Sequence, residues 1–182
     1  MRSPFPLVLG ALLLFVAFST SSCSLAAKQS RLLARAEQAF DGGQYDVAKI
    51  HYLAVLRLEP GNEAAIARLG QIWFEQGAPM RAMPFLLRTR ETTPRDLSNR
   101  LRLARCYGDL AQAAEAEKEA GDALQGSPGS GEALLVMTQF ARSPKEVEAA
   151  RQALKSFRDK RIADYHVAAA TLALHAGTIL AT

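Results

Sequence analysis

The feature that most narrows the fold of this chain is a spacing. Pro60, Pro94 and Pro128 stand 34 residues apart, and so do Ala48, Ala82, Ala116 and Ala150. Gly43, Gly77 and Ala111 keep the same interval, as do Ala36, Gly70, Ala104 and Thr138. Several independent positions in one register define a unit, and a fixed period of this length means a stack of like units. The unit reads most clearly over residues 63–96. Ile66, Leu69, Ile72 and Trp73 recur at helical spacing. Gly77 supplies the backbone conformation that helix ends need. Ala82, Phe85, Leu86 and Thr89 mark a second helical face, and Pro94 closes the unit because proline cannot continue a helix. Each unit is therefore helix, turn, helix. Strand signals are poor: no run of β-branched and aromatic residues alternates with period two.

The pattern resembles the tetratricopeptide repeat at each diagnostic place. These are Leu69-Gly70, an aromatic at Trp73 or Tyr107, the small residue at the turn, Ala in the second helix and the closing Pro. Small residues at 36, 70 and 104, and at 48, 82 and 116, let paired helices approach closely. Trp73 and Tyr107 are expected to fill the space between units and bury a large apolar area. The resemblance covers roughly residues 29–181 and implies an all-α helix-turn-helix solenoid, a right-handed superhelix of about four repeats plus a partial fifth. The units fall at 29–62, 63–96, 97–130, a degenerate 131–160, and 161–182 as the first helix of a fifth. After Ser130 the pattern departs: Ala141-Arg142-Ser143-Pro144 replaces the usual turn, and Phe157 to Lys160 replaces the closing Pro. Ser143 reads as an N-cap with Pro144 at the first helical position and Glu146 three on. Gly126-Ser127-Pro128-Gly129-Ser130-Gly131 reads as the most flexible link. Pro84, inside a second helix, removes one backbone hydrogen bond. Gly177 stands where a fifth turn glycine belongs, and a first helix without its partner leaves an apolar face exposed. That implies a fragment of a longer array or another chain over this end.

Residues 1–22 read as a targeting segment. Arg2 is followed by an apolar run of 14 residues from Phe5 to Phe18, too short to favour a spanning helix and suited to a signal peptide. Ser19, Thr20, Ser21 and Ser22 then precede Cys23, which resembles the bacterial lipobox, with Thr20 where Leu is commonest. The resemblance implies cleavage before Cys23, acylation of its thiol, and a short linker over 23–28. Two or more acyl chains give stable anchoring, at about 0.8 kcal/mol per buried methylene. Ser24, which is not Asp, implies by the same analogy the outer rather than the inner membrane. The alternative is a secreted or periplasmic protein cut near Ala26-Ala27.

Nothing in the sequence carries chemistry. There is no nucleophile elbow, HExxH, CxxC or phosphate loop. His51, His166 and His175 have no metal-ligand spacing. Cys106 reads as a small buried hydrophobe. No cofactor or enzyme activity is expected. A net charge of +4 is too small to argue for nucleic acid. What remains is surface. The repeat resemblance implies that first helices line a concave groove for a peptide or another protein. By position the groove residues are Leu33, Glu37 and Phe40, then Ala67, Gln71 and Phe74, then Leu101, Arg105 and Gly108, then Leu135, Gln139 and Arg142. They lack the Lys and Asn with which chaperone-binding members grip a C-terminal carboxylate. A second feature is basic: Arg88, Arg90, Arg95, Arg100, Arg102 and Arg105 lie close in sequence with only Glu91 and Asp96 opposing. Arginine suits carboxylate and phosphate, so an acidic polysaccharide or a phosphate-rich surface is the other candidate partner. The readings that stand are a lipid-anchored adaptor, an N-terminal spacer of a longer repeat lipoprotein linked to surface-polysaccharide or protein-sorting systems, and the adaptor region of an enzyme whose catalytic domain is elsewhere.

Overall fold

The computed structural model describes residues 25–157 and 159–180, so the targeting segment and Cys23 lie outside the described residues. Among the described residues all regular structure is helical. In chain order the helices are α1 (residues 25–41), α2 (Tyr45–Leu58), α3 (Glu63–Glu75), α4 (Pro79–Thr92), α5 (Leu97–Asp109), α6 (Ala113–Gly126), α7 (Gly131–Phe140), α8 (Pro144–Ser156) and α9 (Ala163–Leu180). The chain divides into two compact units, Met1–Ala65 and Ile66–Thr182.

The period reappears as backbone geometry. Gly43, Gly77 and Ala111 all take positive φ, at 69°, 65° and 58°. At each, two hydrogen bonds close the preceding helix in the same pattern. The Gly43 amide donates to the Phe40 carbonyl and the Gln44 amide to that of Ala39. Gly77 and Ala78 repeat this onto Phe74 and Trp73, and Ala111 and Gln112 onto Gly108 and Tyr107. This is the paired C-terminal capping of helices by a left-handed residue, which satisfies carbonyls the helix leaves open. Glycine pays no steric cost there, whereas Ala111 does.

The small positions of the repeat are the buried ones. Ala36, Ala48, Ala82, Ala104, Thr138 and Ala150 are all at 0% exposure. In the first unit Ala39, Tyr52 and Val55 join Ala36 and Ala48 inside. Asn62 caps α3, its Oδ1 accepting from the Ala65 amide at 3.0 Å. In the second unit a Cβ placed on Gly70 would stand 2.9 Å from Leu86 Cδ2, so any side chain at 70 pushes α3 off α4. Ala82, Leu86, Leu103 and Cys106 form one core there, with Trp73 and Tyr107 packed against it. Both rings are half-buried rather than enclosed, and the Arg81 guanidinium lies 4.9 Å over the Trp73 ring. Pro84 sits within α4 and is exposed, so its missing hydrogen bond falls on the solvent side and the helix continues.

Two sequence expectations change. The glycine- and serine-rich stretch is no loose linker: α6 runs to Gly126, and Ser130 caps α7 by accepting from the Ala133 amide. A Cβ on Gly131 would run into the Asp164 carboxylate, so this glycine admits α9 against α7. Gly177 makes no turn, because α9 continues to Leu180. The alanine-rich run before it, residues 168–176, carries the helix across a glycine that costs about 1 kcal/mol. The departure read at 141–144 holds: Ser143 and Glu146 form a capping box at the start of α8. Burial alone would raise the Glu146 carboxyl, but hydrogen bonds from the Arg142 and Ser143 amides outweigh it and hold it below the ordinary carboxylate range. Helix α9 then packs with α7 and α8 around Leu134, Val147, Leu154, Phe157 and Leu172.

The turns give a direct test. Ala111→Gly is expected to raise unfolding free energy by about 0.5–1 kcal/mol, strain relief exceeding the entropy of the new glycine, and Gly77→Ala to lower it by about 1 kcal/mol. Urea denaturation midpoints at unchanged m-value are the measurement.

Candidate functional site

The first helices of the second unit face a trough. Two adjoining clefts share Phe74 and Arg105. One, of about 260 Å³, is lined by Phe74, Gly77, Pro79, Arg105, Asp109, Gln139 and Phe140. The other, of about 180 Å³, is lined by Phe74, Glu75, Ser98, Leu101, Arg102, Arg105 and Glu132. Helices α3, α5 and α7 therefore each contribute to one concavity with an apolar and a charged part. Arg105 Nη2 reaches Glu132 Oε1 at 3.0 Å, and both side chains remain 40–50% exposed. Such a pair orients the guanidinium but is worth at most about 1 kcal/mol, so a ligand can compete for it.

Of the groove residues inferred from sequence, the structure brings together Phe74, Leu101, Arg105 and Gln139. Leu101 is 3% exposed and belongs to the core beneath the clefts. Leu135 packs against the core shared by α7, α8 and α9 and lines neither cleft. Ala67 and Gln71 are half-buried on α3, and Gln71 Oε1 accepts from Arg68. Leu33, Glu37 and Phe40 lie in the first unit, half-buried, where the Phe40 ring stands 5.6 Å from that of Tyr45.

Phe140 was missed by sequence reasoning, yet a signal for it exists. Phe40 and Phe74 occupy one repeat position, and Gly108 stands at the same position in the third repeat. A Cβ on Gly108 would collide with the Phe140 ring. The ring that the third repeat lacks is thus supplied by the fourth, and it lines the same cleft as Phe74.

Two arginines of the basic patch are engaged within the fold. Glu119, on α6, is 2% exposed. It takes hydrogen bonds from Arg90 of α4 and, at 2.7 Å, from Arg100 of α5. Arg100 also reaches Asp122 at 2.9 Å. Arg90 and Arg100 are therefore neutralised by acids that lie far along the chain, which the count of Glu91 and Asp96 overlooked. The clue was helical spacing: Glu119 falls on the stripe of Ala116, Ala120 and Ala123. Arg88 and Arg95 are exposed and Arg102 half-buried in the second cleft. Arg95 and Arg100 also border a separate cleft of about 440 Å³ with Pro94, Asp122 and Ser127.

No reactive group stands out. Cys106 is buried, and burial, with Asp109 nearby, pushes its thiol up to about 11, far from the thiolate needed for nucleophilic or metal chemistry. Among the described residues no three His, Cys, Asp or Glu side chains gather to hold a metal.

Comparison with known proteins bears on the fold. No family model matches the chain, and no curated protein does. Solved structures do. A tetratricopeptide repeat protein from Parabacteroides merdae superposes with a TM-score of 0.70 at 19% identity, over 82% of this chain and 60% of that one. The present chain thus spans about 60% of that protein. YrrB, described as a tetratricopeptide repeat protein with an unusual peptide-binding site, gives 0.66 at 20% identity over 97% of this chain and 92% of that one. The first tetratricopeptide domain of Spaghetti (RPAP3), solved with an HSP90 peptide, gives 0.52 at 19% identity over 71% and 94%. The fold is therefore all-α and tetratricopeptide-like.

Glu119 ties three helices, so its removal has a defined cost. Glu119→Ala is expected to destabilise the protein by about 2–3 kcal/mol, less than the ~3–5 kcal/mol of a fully buried pair because Arg90 keeps contact with water. Chemical denaturation measures it, and a change under 0.5 kcal/mol would mean the arginines find water at no loss.

Proposed function

We propose that this chain is a non-catalytic binding module, lipid-anchored through Cys23 at the bacterial cell envelope, that holds a peptide segment of another protein between Phe74, Arg105 and Phe140. The single observation that carries the reading is the trough itself. Two aromatic walls from different repeats flank an accessible arginine, and aromatic and arginine anchors contribute most of the energy at peptide interfaces. That similar folds include one solved with a peptide and one described as having a peptide-binding site supports the choice of ligand class. An acidic polysaccharide at the arginine cluster is less favoured, because Arg90 and Arg100 are already paired.

A second reading, a spacer within a longer repeat array, is supported by α9. Its Val167 and Leu174 are 55% and 73% exposed, as on a helix that expects a further neighbour.

Site-specific photo-crosslinking in intact cells separates these. A crosslinker at Gln139 is expected to trap a protein that one at Lys118, on exposed α6 surface, does not. Phe74→Ala is expected to reduce the adduct at least about 10-fold, as for an interface anchor. Equal adducts from both positions, or none from Gln139, would remove the groove reading and leave the spacer. For the anchor, Cys23→Ser is expected to move the protein from the membrane to the soluble fraction. Retention in the membrane with the signal cleaved would show that acylation is not what holds it.

A further inference from the structure

We infer that α1 carries a second membrane contact, a basic face that rests on anionic phospholipid headgroups. Lys28, Arg31 and Arg35 are all exposed, and at 3.6 residues per turn they fall within about 60° of one another. No acidic residue occurs between Leu25 and Ala36. The Arg31 Nε bonds only its own helix, at the Ala27 carbonyl, and no ion pair joins any of the three among the described residues. Like charges three and four apart repel, so the arrangement costs stability unless an external polyanion offsets it. Ala36, at 0% exposure, lies about 80–140° around the helix from the three, so the basic stripe stands beside the packed side of α1 and is itself open to solvent.

An anionic bilayer fits this face better than a soluble partner for two reasons. The first is distance. From Cys23 to Lys28 the chain reaches at most about 12 Å, two extended residues and three helical rises. An acylated Cys23 would hold the basic face close to the headgroups, near the range over which charge is felt. The second is apolar exposure. Leu25, one turn before Lys28 on the same helix, is 49% exposed. Basic and apolar side chains together suit the bilayer interface. The inference rests on the anchoring proposed above for its geometry, but its test does not.

The full chain carrying Cys23→Ser has no acyl group, so acylation cannot contribute. Its partition is titrated into vesicles of phosphatidylcholine alone and of phosphatidylcholine with phosphatidylglycerol at 7:3. The apolar N-terminal segment gives a background common to both. The expected result is a gain on the anionic vesicles on the order of 100-fold, about fivefold per basic residue at the surface. The gain should vanish in 0.5 M NaCl and in Lys28→Gln/Arg31→Gln/Arg35→Gln. It should persist in Lys145→Gln/Lys155→Gln/Lys160→Gln, which removes the same charge elsewhere. Equal partition into both vesicles, a gain that survives the α1 variant, or equal loss in the control variant would overturn the inference. So would release by inorganic phosphate where chloride of equal ionic strength does not release, which would make the face a phosphate site and not a bilayer contact. Were the α1 variant to lose helical circular dichroism, the single variants Lys28→Gln, Arg31→Gln and Arg35→Gln decide instead: each is expected to lose about fivefold on the anionic vesicles, and no loss in any of them would overturn the inference.

Discussion

Close approach of helix backbones at side-chain-poor positions is the constraint from which the rest follows. Gly70 can lie against Leu86 only because it has no Cβ, and Ala36, Ala48, Ala82, Ala104 and Ala150 lose all solvent contact at the corresponding places. Dispersion and apolar burial fall off steeply with separation, so a helix pair held apart by even a methyl group loses contacts along its length. The left-handed turns serve the same end. By closing each first helix with two hydrogen bonds in one geometry, they return the chain so that the second helix lies against the first, as Leu86 lies against Gly70. Thr138, the bulkiest of the set, fits because its hydroxyl bonds back to the Leu134 and Leu135 carbonyls.

That regularity makes the irregularities informative. Where the third repeat has Gly108 in place of a phenylalanine, Phe140 enters, and a wall of the trough is made by a residue outside the repeat register. Where α6 has Glu119 among its alanines, two arginines from α4 and α5 converge on it. Such a cluster adds less net stability than a well-packed apolar one, but it penalises any stacking that leaves a charge unpaired. It also alters the surface, since arginines that seem free in the sequence have been consumed.

The architecture was legible in the sequence because a 34-residue period constrains several positions at once. Gly43, Gly77 and Ala111 share a turn, and the interval alone revealed it. Legibility failed where contact is made by residues unrelated by the period. The partners of Arg90 lie 29 residues away in another helix, and the ring over Gly108 comes from Phe140. Leu135 was placed in the groove by register, but α9 packs against α7 and draws it into a core instead. Gly177 misled for a related reason: a glycine allows a left-handed turn without requiring one. Half of the trough was thus visible, in Phe74, Leu101, Arg105 and Gln139, and the half made by departures from the repeat was not.

The central claim is that alanine-sized side chains at the repeat positions set the separation of the helices. Denaturant unfolding of Ala104→Leu beside Ala114→Leu tests it most directly, since Ala104 is fully buried and Ala114 exposed in the next helix. The account predicts a loss of about 1–3 kcal/mol or more at 104, from overpacking, and a change within about 0.5 kcal/mol at 114. Equal midpoints for the two variants would mean the helices do not meet where the period places them.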